Sequence, residues 1–227
     1  SLGNPNLPPP EKFNEVLRDT VDSCGLRDHC YMPNTGYPHV RQAVARHVSE
    51  EQAVTVGEND IVMTCGASGA LNVALKTLLD PGDEVLTPIP CFVEYGFYAD
   101  NHGGVLKTVP THPDFSLDLE GFEQAVTDRT KVVLINSPNN PTGQIYSRES
   151  LDALGDLLRR KSAAFRRTIY LVSDEPYRKI VFDNHFVPSI FGCYANSIIG
   201  TSYSKDISIP GERIGFAAVN PAADFHD

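Results

Sequence analysis

The sequence predicts a three-layer α/β/α domain built on a mostly parallel sheet. Two observations lead there. Short apolar runs of strand length alternate with stretches whose apolar residues recur at helical spacing, an order that builds a parallel sheet covered on both faces. The polar residues with chemical potential then fall repeatedly just past the apolar runs, where open α/β sheets bind their ligands.

The elements follow in order. Residues 1–10 (SLGNPNLPPP) form a Pro-rich extended arm. From Glu11 to about Cys24, Phe13, Val16, Leu17 and Val21 mark a helix. A polar stretch with Gly and Pro reaches Pro38, and Val40, Val44 and Val48 mark a second helix. Residues 60–64 read as a short strand that enters Gly66-Ala-Ser-Gly. A helix then runs through Leu71, Leu75, Leu78 and Leu79 and stops at Pro81-Gly-Asp. Strands are expected at 85–87, 105–109, 131–136, 168–173, 197–201 and 213–220. Helices are expected from Phe92 to about Asp100, over 118–126, and from a Ser147 cap to near Lys161. No internal repeat or low-complexity tract interrupts this order.

Composition narrows the partners. The chain has 227 residues, 41% hydrophobic and 21% charged, as a soluble globular domain does. A net charge of -10 repels nucleic acid and anionic membranes, so neither is expected as a main partner. The five cysteines, at 24, 30, 65, 91 and 193, form no CxxC pair. An odd set of free thiols suits the cytoplasm, and the scattered histidines suggest no metal site. No apolar run approaches the roughly 18 residues of a membrane span, and there is no signal peptide.

Four segments carry candidate chemistry. Gly66-Ala67-Ser68-Gly69 joins a strand to a helix, where free N–H groups and the dipole favour a phosphate; it serves equally as a tight turn that binds nothing. It lacks the GK[ST] and GxGxxG patterns of nucleotide loops. In Ser137-Pro-Asn-Asn-Pro-Thr-Gly143 two prolines fix Asn140, whose amide can donate to a ligand oxygen. Asp174-Glu-Pro-Tyr177 ends a strand with a carboxylate that needs a cationic or N–H partner, or else caps a helix. Ser202-Tyr-Ser-Lys205, with Arg213 eight residues on, places a lysine past a buried strand, as a nucleophile or as a surface cation. Arg213 can bridge a phosphate bidentately or pair on the surface near Glu212.

SPNNPTG, SDEPY and SYSKDISIPGERIG, in this order, resemble the fold-type-I pyridoxal-phosphate enzymes, and among them the class I/II aminotransferase family similar to aspartate aminotransferase. The likeness runs from Gly3 to about Asn220. It implies the large domain of a pyridoxal-phosphate-dependent transferase, with residues 1–30 as arm and small-domain segment and 31–227 as the cofactor-binding domain. It also implies roles. Lys205 holds pyridoxal phosphate as a Schiff base and moves the substrate proton. Asp174 pairs with the pyridine nitrogen. Tyr177 and Asn140 bond the phenolic oxygen. Ala67, Ser68, Ser202 and Arg213 hold the phosphate, and Phe92 stacks on the ring. Tyr31 reaches the phosphate of a partner subunit in a homodimer with shared sites. Gly3 and Asn140 lie near the substrate, an amino acid or a 2-oxo acid.

The same residues also serve carbon–sulfur or β-lyases and aminotransferase-like effector domains of regulators. A third alternative is an α/β hydrolase, because Gly66-x-Ser68-x-Ala70 nearly forms a nucleophile elbow with Asp174 and His185 following. Family members run well past the lysine. The chain is therefore expected to be truncated at its C-terminal end, with the small domain largely missing together with the arginine for the substrate carboxylate.

Overall fold

The computed structural model describes residues 3–225. Its seven-stranded sheet has the order β1-β7-β6-β5-β4-β2-β3. The strands are β1 (Ile61–Cys65), β2 (Glu84–Ile89), β3 (Val105–Pro110), β4 (Thr130–Asn136), β5 (Tyr170–Asp174), β6 (Ser197–Ser202) and β7 (Ile214–Val219). Neighbours from β3 through β6 pair in parallel. β7 runs antiparallel to both β6 and β1. The first six strands therefore point one way and β7 alone is reversed.

The helices are α1 (Glu11–Ser23), α2 (Pro38–Gln52), α3 (Gly66–Leu78), α4 (Tyr95–Asp100), α5 (Leu119–Ala125) and α6 (Arg148–Phe165). Side-chain alternation along the strands distributes them. In β4, Val132 and Leu134 pack with Leu71, Leu75 and Tyr95 of α3 and α4. Val133 and Ile135 point the other way, onto Phe122 of α5 and Leu154 and Leu158 of α6. On that second face Ile199 and Phe216 meet Val44 and Val48 of α2. Every residue of β4 and β5 is buried, so the apolar runs show no alternation with polar residues. This is the expected three-layer architecture.

Local signals act where expected. The Asp118 carboxylate accepts from the Gly121 amide at 2.9 Å at the start of α5. The Ser147 hydroxyl accepts from the Ser150 amide at 3.1 Å at the start of α6. One expectation is corrected. α4 begins at Tyr95, not Phe92, because residues 90–94 form the turn that leaves β2. α1 forms as expected, but it buries no residue and leaves Val16, Leu17 and Val21 exposed. Its period specifies the helix without supplying a surface for its apolar face.

Gly155 shows packing overriding helix propensity. Alanine there would gain about 1 kcal/mol of intrinsic helix preference. A Cβ, however, would lie 2.6 Å from the Cys193 carbonyl oxygen, a backbone atom that cannot swing away. Gly155→Ala is expected to lower unfolding free energy by about 1–3 kcal/mol, read from urea denaturation; an unchanged or higher midpoint would contradict this packing.

Candidate active site

Because β1, β4, β5 and β6 run in one direction, their carboxyl ends share one edge of the sheet. Ser68 follows β1, Asn140 follows β4, Asp174 ends β5 and Lys205 follows β6. Arg213 precedes β7, and the reversal of β7 returns it to the same edge.

Asp174 lies at the centre. Its Oδ2 accepts from the Tyr95 hydroxyl at 2.7 Å. Its Oδ1 is buried without a hydrogen-bond partner. Burial pushes this carboxyl up to about 7, against the Tyr95 hydrogen bond, and the neighbouring Glu175 charge adds to the rise. No helix follows Asp174, so the capping alternative falls. The strand end is braced from β4, where the Asn136 amide donates to the Asp174 carbonyl at 2.7 Å and its Oδ1 accepts from the Asn140 amide at 2.6 Å. Burial and the Asp174 charge push the Tyr177 hydroxyl up, and the nearby Asn140 side chain works against that rise.

A second group forms where β1 enters α3. Gly66 has φ +73°, and a Cβ on it would lie 2.7 Å from Arg213 Nη2. A Cβ on Gly215 would lie 2.6 Å from the Gly66 carbonyl carbon and 2.5 Å from the Thr201 oxygen. Both positions therefore require glycine for the β1–α3 turn, β7 and the guanidinium to meet. Arg213 has φ 56°, uncommon for a residue with a side chain, and its Nη1 donates to the Pro210 carbonyl at 2.9 Å. No carboxylate among the described residues pairs with it, so the surface pairing near Glu212 is not formed. The Ser68 hydroxyl lies 2.8 Å from that of Tyr98, which also hydrogen-bonds Glu94. Ser68 therefore faces a tyrosine. His185 lies in an exposed turn, with its amide bonded to the Phe182 carbonyl, which removes the hydrolase reading.

Lys205 is half-buried, and its Nζ donates to the Gly3 carbonyl at 2.5 Å, bringing the arm onto the site. Ser202, buried, ends β6 opposite Gly215. The Phe92 ring meets Tyr95 edge-on with centroids 5.7 Å apart. Tyr31 is fully exposed and meets none of these groups within the chain. Behind the site, Arg178 pairs with Glu175 at 3.0 Å and Lys179 with Asp206 at 3.5 Å, which ties down the loops that carry Tyr177 and Lys205.

Sequence reasoning assigned no role to Tyr95, Tyr98, Glu94, Asn136 or Gly215. Glu94 and Tyr98, at i and i+4, were a usable signal for one polar helical stripe. Nothing local to Gly215 reveals its contact with Gly66, which is a tertiary approach.

The fold and site together define a three-layer α/β protein whose sheet edge presents the Arg213 guanidinium at the β1–α3 turn and a buried, partnerless carboxylate oxygen at Asp174. A model of the family described as aminotransferase class I and II matches residues 3–224, and the chain belongs to that family. It is 34% identical over 220 residues to a probable aspartate aminotransferase of Methanocaldococcus jannaschii, covering 96% of this chain and 56% of the relative. It is 35% identical over 220 residues to a probable aspartate/prephenate aminotransferase of Thermus aquaticus, covering 96% and 55%. Among solved structures, an amino transferase from Eubacterium rectale superposes with a TM-score of 0.95 at 36% identity, covering 98% of this chain and 57% of that one. Aspartate aminotransferase from Thermus thermophilus with maleate gives 0.86 at 33% identity, covering 96% and 55%. The chain thus spans about half the length of the relatives it matches.

The family generally uses pyridoxal phosphate, and the residues present fit it. The partnerless Asp174 Oδ1 suits a protonated ring nitrogen, and the Gly66–Arg213 approach suits a phosphate.

Without such a cation, Asp174 makes stability depend on pH. The folded carboxyl keeps its proton up to about pH 7, whereas its ordinary value is 3.8. Between the two the folded state binds more protons than the unfolded chain. The contribution is full below about pH 4 and falls by about 4 kcal/mol as pH rises to 7. In cofactor-free protein, urea denaturation across this range is expected to show that decline, and Asp174→Asn is expected to flatten it. An equal slope in both proteins would contradict the assignment.

Proposed function

We propose that the whole protein is a pyridoxal-phosphate-dependent aminotransferase that exchanges an amino group between an amino acid and a 2-oxo acid. The observation that carries this is the buried Asp174 Oδ1, left open while Oδ2 is fixed by Tyr95. A carboxyl so placed destabilises an empty site and becomes favourable when a ring N–H fills it.

When bound, the cofactor supplies an electron sink for the bond-breaking at the substrate Cα. Asp174 keeps the ring nitrogen protonated. Tyr177 and Asn140, which lie near each other, would donate to the phenolic oxygen. Ser68, the Ala67 and Ser68 amides, Ser202 and Arg213 hold the phosphate. Phe92 covers the ring. Lys205 Nζ would hold the cofactor and would move the proton at the substrate Cα. Gly3, on the arm that touches Lys205, lies on the substrate side with Asn140.

The remaining assignments belong to the same reading. Residues 1–30 serve as arm and small-domain segment, and 31–227 as the cofactor domain; the lack of any buried residue in α1 supports that division. Tyr31 serves the phosphate of a partner subunit in a homodimer, consistent with its full exposure. The cytoplasm is the expected compartment, given five unbridged cysteines.

The visible spectrum of the protein tests the cofactor assignment. A yellow, pH-dependent band is expected, abolished by borohydride or by Lys205→Ala. A colourless protein that takes up no pyridoxal phosphate would refute it. With an amino acid and a 2-oxo acid, amino exchange is expected; release of ammonia and pyruvate alone would make the protein a β-lyase.

Arg213→Ala is expected to weaken pyridoxal phosphate binding about 10- to 100-fold, the worth of a hydrogen bond to a charged group. Equilibrium binding followed at the visible band checks this, and unchanged affinity would remove Arg213 from the phosphate site.

A further inference from the structure

Among the described residues, only the Tyr95 hydroxyl donates to the Asp174 carboxylate, reaching Oδ2 at 2.7 Å. The Asn136 amide serves the Asp174 backbone carbonyl instead. The Tyr98 hydroxyl is taken by Ser68 and Glu94.

Tyr95 is held in place. It is wholly buried, so no bulk water competes for its hydroxyl. The Phe92 ring packs edge-on against it with centroids 5.7 Å apart, and the Tyr98 ring lies 6.4 Å away. Leu71 and Leu75 of α3 and Val132 and Leu134 of β4 share its apolar cluster. Burial, then the Asp174 charge and hydrogen bond, push the hydroxyl well up, so it keeps its proton and stays a donor.

That contact bears on a competition for a proton. A carboxyl and a basic ring nitrogen sharing one proton have two forms. With the proton on nitrogen the pair is ionic; with the proton on the carboxyl it is neutral. Burial favours the neutral form, because the ions lose their hydration. Here burial, and after it the Glu175 charge, push the Asp174 carboxyl up to about 7, and the Tyr95 hydrogen bond opposes them. A donor fixed on the carboxylate stabilises the ionic form.

We infer that Tyr95 is a positioning residue: by donating to Asp174 Oδ2 it keeps the proton shared through Oδ1 on the ring nitrogen of the cofactor. This rests on the reading of Asp174 as the partner of that nitrogen. Removing the hydroxyl moves one proton from nitrogen to Oδ1 and changes no other bond. A hydrogen bond to a charged group is worth about 10- to 100-fold in such an equilibrium. The other titratable groups beside the pair are Glu175, Cys91, Tyr98 and Tyr177, and none of them donates to the carboxylate.

Two measurements test this, the first without cofactor. Carbon NMR of labelled aspartate follows Asp174, whose signal is assigned by its loss in Asp174→Asn. Tyr95→Phe is expected to raise the Asp174 protonation midpoint by about one to two pH units, the same 10- to 100-fold. Site-specific 3-fluorotyrosine at position 95, a stronger donor of nearly the same shape, is expected to lower it. A midpoint that stays put in Tyr95→Phe, or that moves the same way in both variants, would overturn the inference. If Tyr95→Phe fails to fold, the fluorinated variant decides, and a midpoint that is not lowered overturns it.

The second measurement is nitrogen NMR of bound pyridoxal phosphate labelled at the ring nitrogen. A protonated ring is expected in the unmodified protein, and a shift towards the unprotonated position in Tyr95→Phe. An unprotonated ring in the unmodified protein, or an unmoved signal in Tyr95→Phe, would overturn the inference and leave the cofactor assignment standing. If the unmodified protein takes up no pyridoxal phosphate, the cofactor assignment falls and the inference with it, whatever the Asp174 midpoint does.

Discussion

A single buried carboxylate organises this molecule. Asp174 ends β5, whose five residues are all buried, so its side chain opens onto the cleft from the driest part of the sheet. One oxygen is fixed by Tyr95 and the other is open. An isolated charge there is unfavourable by several kcal/mol until a cation or N–H donor arrives. The surrounding architecture serves that geometry. Asn136 holds the Asp174 backbone, α4 supplies Tyr95, and the Arg178–Glu175 pair anchors the loop that brings Tyr177 back over the site.

α4 couples the two ends of the cleft. It is only six residues long, yet its first turn and the residue before it bear on both the carboxylate and the β1–α3 turn. Tyr95 faces Asp174 and Tyr98 faces Ser68, with the two rings in contact. A shift of this short helix would disturb both ends together. Its packing against Leu71 and Leu75 of α3 and Val132 and Leu134 of β4 makes such a shift costly, because a close-packed core relaxes only partly.

The phosphate end depends on backbone approach more than on side chains. Gly66 and Gly215 leave room for each other and for the guanidinium. β7 supplies both Gly215 and, just before it, Arg213, and it does so because it runs against its neighbours. A parallel seventh strand would have put its start at the opposite edge.

The elements of the sheet were legible in the sequence because each rests on local periodicity and caps. β4, β5 and β6 each centre on a short apolar run, and Ser147 and Asp118 cap their helices as side chains of those types do. The edge of the sheet carrying Ser68, Asn140, Asp174 and Lys205 was legible too, since strand direction in an α/β alternation fixes which ends converge. The motifs around these residues carried the family, which the comparisons bear out. Local pattern could not say that α1 would bury nothing, since periodicity specifies a helix but not a surface to receive it. Nor could it supply the partners: Tyr95 for Asp174 from 79 positions away, Tyr98 for Ser68 from 30, Gly3 for Lys205 from 202. The sequence by itself determined which chemical groups stand at which strand ends, because that follows from order and period along the chain. Only the tertiary structure decided which of their atoms are already bonded and which are left open, because hydrogen bonding depends on distances between segments that the chain order does not contain.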